Sequence, residues 1–469
     1  MDELPYDTEE PIAALATAWA ESALAVVRTA GRGCIDLVAS LFSRPEELKR
    51  AENGRMIFGS ILDPQTGEAV DRVILGVFRP PHGYTGQESV EISCHGSLPG
   101  IRRILDALKQ KGFRDAAAGE FTLRAFLNGK MDLTRAEAVA EIVRAKTKRA
   151  QRLSLGRLSG NIWRQIDGVK LGLSRLLSRI ELQLDYGEDE IEEPVEIDRK
   201  ELGAFRGRLT ELSSGYSTGR LYQEGVTAAI TGLTNAGKSS LFNLFLKEDR
   251  SIVSEVHGTT RDYIESWISL RGIPVRLVDT AGLRESEHPV EREGMRRSES
   301  LVESASLVLY LMDAAEGPTE EQRRFAEERA GDTRYIFILN KADLLDDFDH
   351  GGEKKKAGPL AGFLKMSALT GLGFSQLEET MEARLLDCAA GSPGAEEGGL
   401  YIDSRRQYDL LLRAEQALAA VERGLDEEVP LDFIAADLKE AVDSLGEITG
   451  EVSSRDILRQ IFSDFCVGK

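Results

Sequence analysis

The sequence predicts a multidomain chain of mixed α/β and α character: an α+β N-terminal domain, a helical domain, and an α/β domain inserted into the helical one. Three observations carry this. Short strand-like runs alternate with helical segments over roughly the first 130 residues. Apolar residues then recur at spacings of three and four in two separate stretches, which marks amphipathic helices. Between those stretches lie apolar strands that each end in a glycine-rich or polar loop.

In chain order, the N-terminal strand runs are Ala23 to Arg28, Met56 to Leu62, Val73 to Phe78 and Val90 to Cys94. Helices are expected around Ile35 to Phe42 and Leu98 to Lys111. From Leu133 the character changes. Ile162, Ile166, Val169, Leu173, Leu176, Ile180 and Leu184 line one face of a long helix, stopped by the acidic run Glu188 to Glu193 and by Pro194. The α/β part occupies about Glu224 to Leu386, and a Gly/Pro/Ala/Glu-rich linker, Ala389 to Gly399, follows it. The tail returns to helical spacing with Leu410, Leu411, Ala414, Leu418 and Val421, then Ile434, Leu438, Val442 and Leu445. It is too small to bury much surface alone, so it is expected to pack against the helices that precede the inserted domain. Motion of that domain would then be felt directly by the helices. The expected boundaries are 1–131, 132–217, 218–388 and 389–469.

Composition bounds the class. A chain of 469 residues with 42% hydrophobic residues holds roughly three domains with cores of their own. No apolar run approaches the ~20 residues of a membrane span, and the acidic N-terminus does not read as a signal sequence, so a cytoplasmic location is expected. Cys34, Cys94, Cys388 and Cys466 are dispersed, with no C-x-x-C pair and no histidine cluster, so free thiols are expected. A net charge of −20 argues against a protein that coats nucleic acid non-specifically. One stretch without acids, holding Arg144, Lys146, Lys148, Arg149, Arg152, Arg157 and Arg164, reads as a solvated helix face, with a local contact to nucleic acid left open.

The inserted domain carries the chemistry. Gly232 to Ser239 is a G-x-x-x-x-G-K-S phosphate loop between an apolar strand (Val226 to Ile230) and a helical pattern (Leu241, Phe242, Leu244, Phe245), the context that motif requires. Its backbone N–H groups turn toward phosphate oxygens, Lys238 reaches the β- and γ-phosphates, and the Ser239 hydroxyl suits Mg²⁺. Gly258, Thr259, Thr260, Arg261 and Asp262 form a loop in which a threonine closes over the γ-phosphate and completes the Mg²⁺ shell. Asp279, Thr280, Ala281 and Gly282 end the strand holding Val275, Leu277 and Val278. Asn340, Lys341, Ala342 and Asp343 end another strand, Tyr335 to Leu339, and the Asp343 carboxylate matches the N1–H and 2-amino donors of guanine, which adenine lacks. Ser367, Ala368 and Leu369 follow Phe363 to Met366 and place a backbone N–H near guanine O6. The phosphate loop and the four loops that follow it in this order define a Ras-like GTP-binding domain.

Hydrolysis needs a group that this sequence lacks at one place. Leu283 follows Gly282 where Ras-like enzymes carry the glutamine that orients the attacking water. Either another polar group of the site replaces it, or the domain is a slow switch awaiting an activator. Arg284, Glu285, Glu287, Glu291 and Arg292 lie nearby in sequence, and the Asn235 amide oxygen suits a monovalent cation beside the phosphates.

Asp456 to Lys469, ending Phe-Cys-Val-Gly-Lys, closely resembles the C-terminal signature of the MnmE (TrmE) family of tRNA-modification GTPases, which ends Phe-Cys-Ile-Gly-Lys. The segments Val90 to Gly96 and Gly119 to Lys130 also match, and the order of domains agrees over essentially the whole chain. The resemblance implies a GTPase that works with a flavoprotein partner, MnmG, in a heterotetramer, with FAD on the partner. Together they install an aminomethyl-type (carboxymethylaminomethyl) group on C5 of the wobble uridine of certain tRNAs, with carbon from a tetrahydrofolate derivative (5-formyl or 5,10-methylene). It implies a homodimer through the N-terminal domain and no membrane partner. Arg28, Glu91 and Lys130 match the family's folate contacts, and Lys469 completes that pocket. Asn235 matches its potassium ligand, with Ser254, Val256 and Thr259 on the loop around the K⁺ ion and Thr260 on the Mg²⁺ threonine. The nucleotide contacts thereby span Asn235, Ala236, Gly237, Lys238, Ser239, Ser240, Ser254, Glu255, Val256, His257 and Gly258 onward. Glu291 matches the carboxylate that orients the catalytic water, Arg284 a switch arginine, and Cys466 a cysteine that tRNA modification needs and GTP hydrolysis does not.

Two segments depart from the family. The phosphate loop reads Gly-Leu-Thr-Asn in place of Gly-Arg/Lys-Pro-Asn, and Thr17 to Ala23 replaces a Gly/Pro-rich run beside the folate pocket. A ribosome-assembly or RNA-chaperone GTPase is the alternative, opposed by a helical, acidic tail where such proteins usually carry an RNA-binding module. A signalling switch without chemistry is favoured only by Leu283.

Overall fold

The computed structural model of the chain describes residues 7–185, 196–247, 251–252, 264–279, 300–345, 363–389, 401–452, 454–463 and 465–469. They form two compact units, one of residues 1–140, 157–195 and 430–469, the other of residues 141–156 and 196–429.

The first unit is built on a six-stranded sheet in the order β3-β4-β5-β2-β1-β6. Its strands are β1 (Ile12–Leu15), β2 (Ser22–Ala30), β3 (Met56–Leu62), β4 (Ala69–Phe78), β5 (Ser89–Gly96) and β6 (Arg114–Asp115). The expected strand runs fall on β2 to β5. The sequence reading misses β1, whose four residues are all buried and show no alternation, and the two-residue β6. Val73, Leu75 and Val77 of β4 and Val90, Ile92 and Cys94 of β5 point to one face at the period of two that the pleat dictates. Helices α1 (Cys34–Ala39), α2 (Pro45–Arg50) and α3 (Leu98–Gln110) cover that face, α3 through Ile101, Ile104 and Leu108.

Helix α4 (Glu120–Leu127) is tied to the start of the chain by charge. The fully buried Glu120 carboxylate accepts from Arg114 Nη2 at 2.7 Å, Arg124 Nη2 at 2.7 Å and Ala117 N at 2.8 Å. Arg124, also fully buried, donates to the Glu10 carbonyl at 2.9 Å. Helices α5 (Leu133–Arg144), α6 (Lys148–Leu158) and α7 (Asn161–Asp185) follow. On α7 the buried face runs through Ile162, Ile166, Val169, Leu173, Leu177 and Ile180. Leu184, expected on it, is exposed at the C-terminal end of the helix, and Leu176, also expected there, is only half-buried beside the buried Leu177. The acidic run and Pro194 expected to stop it lie outside the described residues.

The second unit holds α8 (Arg199–Ser214), α9 (Tyr216–Glu224) and a seven-stranded sheet ordered β13-β12-β11-β7-β10-β9-β8. Its strands are β7 (Val226–Gly232), β8 (Ser251–Ile252), β9 (Ile264–Leu270), β10 (Ile273–Asp279), β11 (Leu307–Asp313), β12 (Tyr335–Asn340) and β13 (Leu364–Lys365). Helices α10 (Lys238–Lys247), α11 (Glu320–Glu328) and α12 (Phe374–Ala389) belong with it. The four strands β7, β10, β11 and β12 are near-continuous apolar runs, as strands covered on both faces must be.

The tail forms α13 (Arg405–Asp426), α14 (Leu431–Thr449) and α15 (Arg455–Ser463), and it is shared between the units. Helix α13 packs on α8, with Arg199–Asp426 and Arg206–Glu422 ion pairs, while α14 packs on α7. The basic stretch is not simply a solvated face. Arg157 is buried, and Lys146 and Arg149 lie over the rings of Trp267 and Tyr222. Aromatic faces that desolvate a cation favourably explain the difference.

Burial pushes the Glu120 carboxyl up, but the Arg114, Ala117 and Arg124 donors outweigh it and hold the group below its ordinary value of 4.5. A depressed folded-state value makes its contribution complete above the unfolded value and lost as pH falls through the folded one. Glu120→Gln is expected to cost roughly 3–5 kcal/mol at pH 7, because it leaves Arg124 buried with an uncompensated charge. It should also flatten the fall in stability as pH drops below the ordinary glutamate value, and urea melts above and below that value check both.

Candidate nucleotide site

Strand β7 lies between β10 and β11 and is parallel to both. The crossovers on its two sides diverge, so its C-terminal end opens into the crevice where α/β sheets bind ligands. Residues 233–237 turn the chain there into α10. Gly237 has φ 93°, and a Cβ on it would lie 2.1 Å from Asn340 Nδ2. A Cβ on Gly232 would lie 2.2 Å from the Leu311 carbonyl oxygen. Only glycine fits either position. Asn235 is exposed in the left-handed region, φ 63°, which asparagine tolerates better than most residues. Lys238 is buried and folds over its own loop, donating Nζ to the carbonyls of Gly232 at 3.1 Å and Leu233 at 2.7 Å. Ser239 Oγ donates to Asp279 Oδ2 at 3.3 Å, which brings two hard oxygen groups from separate elements together. Ala236 is buried and Ser240 exposed at the head of the same turn and helix.

The base side is organised by Asn340 at the end of β12, only 2% exposed. Its Nδ2 donates to the Ala236 carbonyl at 2.8 Å, and its Oδ1 accepts from Ala368 N at 2.8 Å. One side chain thus binds the phosphate loop to the loop that follows β13. Lys341, in the left-handed region, donates Nζ to Asp313 Oδ2 at 2.6 Å. Burial raises the Asp313 carboxyl, but Lys341 and the Ala315 N–H outweigh it and hold the group below the ordinary aspartate range. Ala342 is buried, while Asp343 is exposed in the 3₁₀ turn Ala342–Leu344. Ser367 is fully buried and its Oγ accepts from Thr370 N at 3.2 Å, shaping a turn that leaves Leu369 85% exposed. The sequence reading placed Asn340 in the base loop but not as the tie between loops, and it did not single out Asp313. An aspartate closing the apolar run of β11 was the available signal.

Ser254, Glu255, Val256, His257, Gly258, Thr259, Thr260, Thr280, Ala281, Gly282, Leu283, Arg284 and Glu291 lie outside the described residues. Among the described residues, no group of three or more His, Cys, Asp or Glu side chains is arranged to hold a metal. The Ser239–Asp279 pair is the set that suits Mg²⁺, an ion that keeps most of its shell as water and phosphate oxygen.

A second cluster forms in the first unit. Arg28 on β2 faces Glu91 on β5 across the ladder, and its Nε donates to Glu91 Oε1 at 2.9 Å. Arg28 also donates Nη1 to the Gly468 carbonyl at 3.2 Å and lies 5.1 Å and 5.7 Å from the ring centroids of Tyr84 and Phe121. The C-terminus is stitched in beside it: Val467 bridges to Ala118, and Phe121 N donates to the Lys469 carbonyl at 3.2 Å. Lys130 donates Nζ to the Pro81 carbonyl at 2.9 Å, on the loop that carries Tyr84. Arg28, Glu91 and the Lys469 backbone therefore converge, and Lys130 joins through that loop. Cys34 and Cys94 are buried free thiols, both pushed up by burial, to about 12 and about 11. Cys466 is a free, exposed thiol at the edge of this cluster.

A glycine-cornered phosphate loop at the switch point, a Ser–Asp oxygen pair and an Asn-Lys-x-Asp base loop define a P-loop GTPase. A family described as the MnmE helical domain matches residues 133–466, and one described as the GTP-binding protein TrmE N-terminus matches residues 11–130. The chain belongs to the MnmE family of tRNA modification GTPases. It is 40% identical over 468 residues to tRNA modification GTPase MnmE of Borrelia recurrentis (99% of each chain), and 40% over 471 residues to that of Treponema denticola (99% of each). The Aquifex aeolicus protein of that name is 39% identical over 471 residues, covering 98% of this chain and all of that one. Among solved structures, the G domain of the T. maritima FeoB iron transporter covers 34% of this chain and 98% of that one at 24% identity, with a TM-score of 0.25, which adds nothing to the assignment. No helix among the described residues is long and apolar enough to cross a membrane.

Asn340→Ala removes both ties and leaves the Ala236 carbonyl and the Ala368 N–H buried without a partner, about 1–3 kcal/mol each. Guanine-nucleotide affinity is expected to fall roughly 10- to 100-fold while α-helical content is kept. A fluorescent-nucleotide titration that finds affinity within about twofold of the parent would refute this organising role.

Proposed function

We propose that the chain hydrolyses GTP in a conformational cycle that drives modification of the wobble uridine of certain tRNAs. The modification is installation of a carboxymethylaminomethyl-type group at C5, made together with a flavoprotein partner, MnmG, that carries FAD. The observation that carries the reading is the Asn340 tie between phosphate loop and base loop, in a chain 39% and 40% identical end to end to proteins named as tRNA modification GTPases. The four-part division at residues 131, 217 and 388, a homodimer through the N-terminal part and a cytoplasmic location belong to the same proposal.

At the nucleotide, the Lys238 ammonium, held over its loop by the Gly232 and Leu233 carbonyls, is proposed to bring its charge to the β- and γ-phosphates. Ser239 and Thr260 are proposed to hold Mg²⁺, which when bound neutralises phosphate charge. Asn235, with Ser254, Val256 and Thr259, is proposed to hold K⁺, which supplies the charge an arginine finger would bring. Asn235 is exposed and in a fixed left-handed turn, which supports its availability for that role. Glu291 is assigned the orientation of water in place of the absent glutamine, and Arg284 a switch role. In the first unit, Arg28, Glu91, Lys130 and Lys469 are proposed to hold a tetrahydrofolate derivative that supplies one carbon. Among the described residues Glu91 Oε2 has no partner, so one carboxylate oxygen remains to accept from a pterin ring. Cys466 is assigned to the tRNA reaction, not to hydrolysis.

Asp343→Asn should reduce guanosine-nucleotide affinity by more than about 100-fold and favour xanthosine nucleotides, because an amide donates where the carboxylate accepted. Retained GTP affinity without a gain for xanthosine would overturn the base site. Hydrolysis should run faster in K⁺ than in Na⁺ at equal ionic strength, and Asn235→Ala should remove most of the difference. Nucleoside analysis of tRNA from cells lacking the protein tests the larger claim, and unchanged wobble uridines would overturn it.

A further inference from the structure

The hairpin formed by β9 and β10 joins two parts of the nucleotide site. Strand β9 begins four residues after Thr260, and β10 ends at Asp279, whose carboxylate takes the Ser239 hydroxyl. The strands are in register from Ile264–Asp279 at the site end to Leu270–Ile273 at the tip. The tip itself, Arg271 and Gly272, has φ 47° and 91°, the two positive values of a tight hairpin turn. At about 3.3 Å per residue, the tip lies roughly 20 Å from Asp279.

That tip is held by residues far earlier in the chain. Thr147 Oγ1 donates to the Gly272 carbonyl at 2.8 Å. Lys146 Nζ stands 3.1 Å above the centroid of the Trp267 ring, on β9. Burial, and then the neighbouring Arg276 guanidinium, pull the Lys146 ammonium below the ordinary lysine value, as expected of a cation kept from water. The Arg149 stem fits against Gly272, where an added Cβ would lie 3.2 Å from Arg149 Cβ, and its guanidinium lies 3.9 Å from the centroid of Tyr222. Residues 141–156 thus belong to the GTPase unit, although the chain on both sides of them, 1–140 and 157–195, belongs to the other unit. A covalent strap leaves one unit, fastens to the hairpin tip, and returns.

We propose that Lys146 and Thr147 are positioning residues for GTP turnover, acting through Trp267 and the hairpin tip, and that this strap senses the nucleotide state. The hairpin is a stiff two-stranded lever. Its foot carries Asp279, and its other strand leads directly from the threonine loop. Fixing the tip sets where the foot stands, so a change at the phosphates is delivered to Lys146 and from there along the chain in both directions. The proposal rests on the GTPase assignment of the site. The two fail differently: a chain that binds no GTP overturns the assignment, whereas an active chain indifferent to Lys146 overturns only the strap.

The test uses the full chain. Lys146→Met keeps the stem and removes the charge, Lys146→Arg keeps a cation, and Thr147→Val and Thr147→Ser do the same for the hydroxyl. Lys146→Met and Thr147→Val are each expected to lower kcat for GTP roughly fivefold, with KM within about twofold of the parent. Lys146→Arg and Thr147→Ser should restore kcat. The chain has three tryptophans, so Trp19→Phe with Trp163→Phe leaves Trp267 as the sole indole. Its emission should differ between the GDP complex and that with a non-hydrolysable GTP analogue, and Lys146→Met should at least halve the difference. Unchanged kcat in both charge- and hydroxyl-deleting variants, or emission identical in the two nucleotide complexes, would overturn the proposal. So would a loss of kcat and KM together that the conservative variants fail to rescue.

Discussion

The nucleotide site depends on one buried amide. Asn340 donates to the phosphate loop and accepts from the loop after β13, so three loops from three strands share a single planar group. A planar amide has one orientation that serves both partners, and either bond left unmade would strand a buried backbone group. The glycine at 237 follows from this, because the Asn340 amide occupies the space a Cβ would need. Lys341, next along the chain, is turned by its left-handed backbone toward Asp313, which ties β11 into the same arrangement.

The first unit has a comparable dependency at its own centre. Glu120 gathers Arg114, Arg124 and a backbone N–H at no exposure to water, and Arg124 reaches on to the Glu10 carbonyl. Such a cluster gains little net stability over an apolar one, but it tolerates few arrangements. It fixes α4 against the first strand, and α4 is bonded both to Glu10 and to Lys469. Gly119 opens that helix with φ 65°, and a Cβ there would lie 2.7 Å from the Phe462 carbonyl oxygen. A Cβ on Gly468 would lie 2.5 Å from the Leu15 carbonyl oxygen. Gly119 of the N-terminal motif and Gly468 of the tail motif are therefore both demanded by close approach of backbones.

The GTP loops were legible in the sequence because phosphate recognition is done by backbone groups of consecutive residues, which leaves a contiguous pattern. The amphipathic helices were legible because burial on one face imposes a spacing of three and four. Strand β1 was not, since IAAL is buried on both faces and carries no period. The roles of Arg28 and Glu91 were not legible from the residues themselves. They are 63 residues apart, and nothing local distinguishes either from a surface charge until the ladder sets them opposite each other. The basic stretch misled for the same reason, because its aromatic partners lie far along the chain.

The sequence by itself determined what short-range physics writes down: which segments are strands and helices, where glycine must turn the chain, and that the inserted domain binds a guanine nucleotide. Tertiary structure alone decided which side chains are spent on one another. It set Asn340 between loops, Arg28 on Glu91 and Gly468, and Lys146 over Trp267. Periodicity and turn chemistry act over a few residues and leave a mark at each position. A hydrogen bond or a cation over a ring joins residues whose separation along the chain is arbitrary, so its energy is realised only once the fold has brought the partners together.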